Sequence, residues 1–310
     1  KFFMIGASHF NLNDREAYAA WRRNKISAAP RTLEELSVKI KDWRLPSKSE
    51  IFSIAANCQK SNFAIYRVSD DLCKEDVLAF AACFGLKTLE KSLLSGQDGI
   101  AELTTDQTGI TERSQYIPYS NKPLSWHTDG YYNPTGKWVL GMLLHCIKPA
   151  KEGGLSQILD PDIVYIRLRD KNPEWISALM HKKALTIPAN DHNFKRIRSE
   201  NTGPVFSIIG GNLTMRYTHR TRSVIWHDDP LITEARTFLR ELLEKGDEFM
   251  LTHQLSAGEG IISNNVLHRR TAFNDSNCPG KNRLLYRARF KDRVTPTPLT
   301  ETKNEPTNTP

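Results

Sequence analysis

Ser125-Trp126-His127-Thr128-Asp129-Gly130-Tyr131-Tyr132 is the stretch around which the rest of the chain is organised. In an extended segment alternate side chains share a face, so His127 and Asp129, two apart, point the same way. An imidazole and a carboxylate side by side can take two adjacent corners of a metal's coordination sphere. A facial triad of two histidines and one carboxylate needs one more histidine and leaves positions open for substrate and oxygen. The chain offers that histidine late, as His268 in Asn264-Asn265-Val266-Leu267-His268-Arg269-Arg270-Thr271-Ala272-Phe273. Alone, His-x-Asp is a common tripeptide and carries little weight.

Outward from this stretch the chain is rich in short β-like runs. From Gly99 they recur at Ile100 to Thr104, Trp138 to Ile147, Leu155 to Leu159, Ala184 to Ile187, Val205 to Ile209 and Leu213 to Tyr217. Three more cover Phe249 to Leu255, Gly260 to Leu267 and Leu284 to Phe290. Turn signals such as Pro149, Gly153-Gly154 and Gly210-Gly211 separate them, as expected of an antiparallel barrel or jelly roll. Helical insertions are expected at Asp160 to Asp170, Pro173 to Met180 and Leu231 to Lys245.

The first third reads as helix-rich scaffold. Thr32 and Glu35 form a capping-box pattern ahead of Leu33, Leu36, Val38, Ile40 and Trp43, which predicts a helix ending at Pro46. A second helix is expected from Glu50 to Cys58, then a strand from Asn62 to Val68, then a helix capped by Ser69-Asp70-Asp71 and ending at Gly85. The simplest organisation is one domain over 1–293, helix-rich over 1–98 and β-rich over 99–293, followed by a Pro/Thr-rich tail at 294–310.

The 310 residues are 39% hydrophobic, 9% aromatic and 25% charged, ordinary for a globular protein. No apolar run approaches the roughly 20 residues of a membrane span, and Phe2 to Ala7 is too short for a signal peptide. Five cysteines, odd in number and never in Cys-x-x-Cys spacing, indicate free thiols in a cytoplasmic protein. Net charge is +8, but it is spread along the chain, which argues against nucleic acid and fits small anionic partners. A homo-oligomer is left open.

Two further features bear on a metal site. Arg283, Arg287 and Arg289 alternate in Arg283-Leu284-Leu285-Tyr286-Arg287-Ala288-Arg289, so a strand would set all three on one face, opposite Leu284 and Tyr286. Arginine's planar fork binds carboxylates bidentately; the competing reading is a solvated edge strand. Gly153-Gly154-Leu155-Ser156 adds a tight turn and a hydroxyl early in a strand.

Together, His-x-Asp at 127–129, the distal His268 and the downstream Arg-x-x-x-Arg resemble the taurine-dioxygenase (TauD/TfdA-like) family of iron(II)- and 2-oxoglutarate-dependent dioxygenases. The likeness covers roughly residues 60 to 290. It implies a double-stranded β-helix (jelly roll), an α+β fold with a mainly β core. It also implies iron(II) on His127, Asp129 and His268, with 2-oxoglutarate and O2 as cosubstrates. Arg283 matches the arginine that clamps the distal carboxylate of 2-oxoglutarate, and Ser156 falls where the family often has a threonine. Arg287 matches a position that touches substrate in some members, and the choice between Arg283 and Arg287 for the cosubstrate stays open. Such an enzyme would hydroxylate a small organic substrate and release succinate and CO2.

Trp126 and Tyr131 flank the motif, and Arg216 and Tyr217 belong to the cationic stretch Met215 to Arg222; these are the expected substrate residues, favouring an anionic substrate. His145 is expected to be a hydrogen-bonded strand histidine, and Asp228-Asp229 a helix cap rather than part of a metal site. The alternatives are an oxygenase acting on a macromolecule and a jelly-roll binding protein without turnover.

Overall fold

The structure, a computed structural model, describes residues 8–91, 95–105, 116–192, 195–222, 224–275 and 282–295. A 3-10 turn leads into α1 (Arg15–Ala28), whose first turn is capped by the Asp14 carboxylate accepting from the Ala17 N–H at 2.9 Å. β1 (Ser37–Lys39), α2 (Lys48–Ser61), β2 (Phe63–Arg67), α3 (Lys74–Ala82) and β3 (Ala101–Leu103) follow. Next come β4 (Leu124–His127), β5 (Gly141–Lys148), β6 (Glu152–Gly153), β7 (Ser156–Leu159), α4 (Pro161–Lys171) and α5 (Pro173–Leu179). Seven short strands then run from β8 (Leu185–Ile187) through β9 (Asn190–His192), β10 (Lys195–Arg198), β11 (Asn201–Gly203), β12 (Phe206–Ile209) and β13 (Asn212–Met215) to β14 (Ile225–Trp226). After α6 (Pro230–Lys245) come β15 (Leu251–His253), β16 (Glu259–Ser263), β17 (Leu267–Arg270), β18 (Phe273–Asn274) and β19 (Leu284–Phe290).

Two sheets organise these elements. The larger has the order β1-β2-β16-β5-β19-β3 and the smaller β15-β7-β17-β4, so strands far apart in sequence are neighbours in both. Alternation along each strand decides what lies between the sheets. Phe63 and Ile65 of β2, Cys146 of β5 and Leu285 of β19 meet Ile158 of β7 and Leu251 of β15 in one apolar cluster. Ala64 and Tyr66 point the other way and pack with Ala288 and Phe290 against Ile54, Val77, Phe80 and Phe84 of the helical cover. Each fully buried aromatic or aliphatic chain of this kind contributes about 1.5–3 kcal/mol. A third cluster joins α4, α5 and α6 to Leu159 and Leu267 on the outer side of the smaller sheet.

Several expectations need correction. No helix runs from Leu33 to Trp43. Glu35 does accept the Thr32 N–H at 3.0 Å, but only a 3-10 turn at Glu34–Leu36 follows, and the chain then extends as β1. The β-branched Val38 and Ile40 favour that extension. The segment pairs in parallel with β2, and Ile40 N–H donates to the Arg67 carbonyl at 2.9 Å. The helix after β2 is capped not by Ser69-Asp70-Asp71 but at Cys73, whose N–H donates to the Asp76 carboxylate at 2.9 Å. Asp229 does cap α6, accepting from the Leu231 N–H at 2.8 Å.

The arginine strand is also different from its reading. β19 lies between β5 and β3, not at an edge, and its pairing with β5 skips Ile147, a bulge on the β5 side. Arg287 and Arg289 share the inner face with Leu285, and Arg283, one residue before the strand, lines a recess with Leu285. The expected tail lies outside the described residues from 296 onward, as do Phe2 to Ala7 and Cys278.

Candidate metal and substrate site

The antiparallel pairing of β4 with β17 sets His127 directly opposite His268, which is how residues 141 positions apart come together. Their ring centroids lie 4.4 Å apart. β4 ends at His127, so Asp129 sits in the turn beyond the strand rather than within it. Its carboxylate still converges, with Asp129 Oδ1 3.5 Å from His127 Nε2. One ligand-type atom from each of His127, Asp129 and His268 falls within 4.8 Å of the others.

The hydrogen bonds around the three residues settle what each presents. His127 Nδ1 donates to the Ser125 carbonyl at 2.9 Å and His268 Nδ1 donates to the Val266 carbonyl at 2.9 Å. A carbonyl only accepts, so both protons sit on Nδ1 and both Nε2 lone pairs are free. Burial, with the neighbouring His127, pulls the His268 pKa down to about 4, keeping its ring neutral at physiological pH. Burial alone would raise the Asp129 pKa; Arg287 and the neighbouring His127, Arg289 and His268 outweigh it and hold the carboxyl well below its usual range. Asp129 Oδ2 is buried without a hydrogen bond, although Arg287 Nη1 stands 3.3 Å away. Two neutral imidazole nitrogens and one unsatisfied carboxylate oxygen are the donor set a divalent iron takes.

Asn265 orients Asp129, and sequence reading missed it. Its Oδ1 accepts from the Asp129 N–H at 2.8 Å, while its Nδ2 donates to the carbonyls of Asp129 and Val139 at 2.9 and 2.8 Å. The residue is buried in the left-handed region, φ 54°. Its signal was the doubled asparagine three residues before His268, since asparagine is the side chain most at ease there after glycine.

A cavity of about 480 Å³ opens beside the triad and is lined by His127, Asp129, Tyr131 and Arg287. Three of the expected substrate residues do not reach it. Trp126 is buried in the helical cluster, with the Arg269 guanidinium over its ring. Tyr217 is buried in the same cluster and hydrogen-bonds to His219 Nδ1. Arg216 is a brace: its guanidinium donates to the carbonyls of Tyr131 at 2.8 Å, Leu185 and Asn201 at 3.0 Å and Gly203 at 3.1 Å. Its cationic neighbourhood is therefore filled by backbone oxygens, not by ligand.

Arg283 and Ser156 line a second, smaller recess with Cys146, Gly154 and Gln254. Gly153 and Gly154 both have positive φ, 74° and 67°, and a Cβ on Gly153 would collide with the Ala272 carbonyl. A Cβ on Gly154 would stand 3.5 Å from Arg283 Nε, so this turn lies directly against the guanidinium. Burial pulls the Arg283 pKa down to about 10, which leaves it charged. His145 lies apart from the site, its Nδ1 hydrogen-bonded to the Tyr66 hydroxyl at 3.0 Å.

Among curated proteins, the chain is 29% identical over 177 residues to a uridine-5'-phosphate dioxygenase of Amycolatopsis sp., covering 54% of this chain and 60% of that protein. It is 30% identical over 182 residues to one of Streptomyces sp., covering 55% and 62%. The chain thus spans about three-fifths of the length of these relatives. Among solved structures, the non-haem iron oxygenase OrfP, in complex with Fe, succinate and (3S)-hydroxy-L-Arg, aligns with TM-score 0.58 at 14% identity over 94% of this chain and 91% of that one. Asparagine oxygenase in complex with Fe(II), 2S,3S-3-hydroxyasparagine and succinate aligns with TM-score 0.54 at 15% identity over 82% and 93%. The model of the taurine catabolism dioxygenase TauD, TfdA family matches residues 61–289, and the chain belongs to that family.

Proposed function

We propose that this chain is an iron(II)- and 2-oxoglutarate-dependent dioxygenase that hydroxylates a small anionic organic substrate and releases succinate and CO2. The observation that carries it is the convergence of two Nε2 lone pairs and an unsatisfied Asp129 oxygen beside an open cavity. His127, Asp129 and His268 hold the iron, which supplies oxygen activation coupled to decarboxylation of the cosubstrate. Arg283 grips the distal carboxylate of 2-oxoglutarate with Ser156 beside it, and Arg287 and Tyr131 face the substrate. The recess shared by Arg283 and Ser156 supports that division. The fold is read as a double-stranded β-helix in one domain over 1–293, acting in the cytoplasm; among the described residues no helix is long and apolar enough to cross a membrane.

The chain's own residues do three things in this reaction. The backbone carbonyls of Ser125 and Val266 fix both imidazole tautomers. Asn265 fixes the Asp129 backbone. Arg287 stands against the metal-binding carboxylate, where it can neutralise charge without blocking the imidazoles. For the substrate, cavity charge is the guide: Lys91, Arg198, Arg220, Arg287 and Arg289 line it against two carboxylates, Glu90 and Asp129. A nucleoside monophosphate falls within that class, as the two relatives named for uridine-5'-phosphate support.

The test is anaerobic titration of iron(II) and 2-oxoglutarate into the apo-protein, following the visible charge-transfer band of the chelate. The band is expected in the parent, absent in Asp129→Ala and weakened in Arg283→Ala. A parent protein without a band would sink the assignment.

A further inference from the structure

The cavity's cations divide into two groups. Arg287 faces Asp129 at 3.3 Å and Arg289 is paired with Glu90, so these two are neutralised within the protein. Arg198, Arg220 and Lys91 are not: among the described residues no carboxylate lies within ion-pair distance of any of them. Among the described residues Lys91 Nζ donates to the Gln97 carbonyl, at 3.3 Å. Arg198 is the most committed of the three. It is half-buried, with its guanidinium carbon 5.4 Å from the centroid of the Tyr132 ring. One of its amino groups, Nη2, donates to the Pro188 carbonyl at 2.9 Å, which anchors the fork. The other, Nη1, is buried with no hydrogen-bond partner among the described residues. A buried guanidinium nitrogen without an acceptor is costly to keep, about 1–3 kcal/mol or more, and a cavity-lining one is paired when a ligand oxygen arrives.

We propose that Arg198, supported by Arg220 and Lys91, is the anion-reading residue of the substrate cavity, and that the substrate presents a phosphate monoester to it. The inference rests on the reading of this cavity as the substrate site. A dianionic, three-oxygen phosphate offers one oxygen to each of the three cations and leaves one charge over, whereas a carboxylate has two oxygens and leaves two over. The tyrosine rings of the same cavity, Tyr116, Tyr131 and Tyr132, give a planar group a surface to lie on. Arg216 positions this wall. It holds the Asn201 and Gly203 carbonyls and the Tyr131 carbonyl with one guanidinium, so β11, which begins three residues after Arg198, and the turn bearing Tyr131 are tied together.

The experiment is calorimetric titration of the full chain with uridine 5'-monophosphate and with uridine, repeated in Arg198→Gln, Arg198→Lys and Arg220→Gln. The phosphate is expected to tighten binding by about tenfold to a hundredfold in the parent, the range of one or two charge-assisted hydrogen bonds. Arg198→Gln should erase that preference, Arg198→Lys restore part of it, and exposed Arg220→Gln lower it less. Equal binding of nucleotide and nucleoside, or of neither, overturns the proposal, as does a preference unchanged in Arg198→Gln. Thermal melting of each variant separates lost recognition from lost fold. The chelate band is read in the same samples: a band without phosphate preference refutes the anion site alone, and a phosphate preference without a band refutes the oxygenase reading alone.

Discussion

Asn265→Ala removes a residue that touches neither metal nor substrate, yet it should disable the site. The side chain satisfies three backbone groups: the Asp129 N–H and the carbonyls of Asp129 and Val139. Each such bond is worth about 0.5–1.5 kcal/mol net, so three amount to about 1.5–4.5 kcal/mol. The left-handed backbone, φ 54°, adds about 1 kcal/mol once alanine replaces asparagine. Urea unfolding should therefore show a loss of about 3–5 kcal/mol. Asn265→Gly loses the same bonds without the Cβ penalty and should fall about 1 kcal/mol less, separating conformational cost from hydrogen bonding. In the folded fraction, iron(II) affinity should drop about tenfold to a hundredfold, as when groups behind metal ligands are removed. An alanine variant within 1 kcal/mol of the parent, binding iron(II) equally well, would refute the reasoning.

Two further outcomes follow from buried charges elsewhere. Lys25 Nζ lies 2.7 Å from Asp160 and 2.6 Å from Asp162, joining α1 to the N-terminus of α4. Lys25→Met strands these carboxylates and should cost about 3–5 kcal/mol in denaturant titration; a loss below about 1 kcal/mol would show that solvent and Arg293, whose charge also acts on Asp160 and Asp162, suffice. Burial pulls the His145 pKa down to about 4 from 6.5, so the native state favours the neutral ring. The unfolded chain then binds the extra proton first, so stability is intact above pH 6.5 and falls between 6.5 and 4, by roughly 3 kcal/mol at the limit. His145→Gln, which can still meet the Tyr66 hydroxyl, should flatten that acid limb in chelator-treated protein; an unchanged slope would exclude His145 as its source.

What the sequence made legible depended on how local the deciding physics was. α6 was plain because Ile232, Ala235, Leu239 and Leu243 repeat on one face and Asp229 caps the start. The Leu33 to Trp43 segment misled because its apolar spacing fits a helix, while what fixes it is parallel pairing with β2, a partner some 28 residues away. Arg216, one of three expected substrate residues that lie away from the cavity, was illegible for a similar reason. Met215 to Arg222 is cationic in sequence, but whether Arg216 faces a ligand or four carbonyls depends on strands β8 and β11 arriving beside it.

The site divides along the same line. His127 and Asp129 are visible together because they are two residues apart, and His268 because its surroundings are distinctive. The arginines illustrate the limit. Alternation places Arg283, Arg287 and Arg289 on one face, and the family resemblance gives Arg283 and Arg287 different roles, but neither tells which space each one lines. Arg283 is left against the Gly153-Gly154 turn and Ser156, while Arg287 and Arg289 turn toward Asp129 and Glu90. Arg283, Arg287 and Arg289 thus share one strand but line different spaces, Arg283 the small recess and the other two the larger cavity. No periodicity in the sequence encodes that difference, because it depends on which segments arrive opposite each arginine: the Gly153-Gly154 turn at one end of the strand, Asp129 and Glu90 at the other.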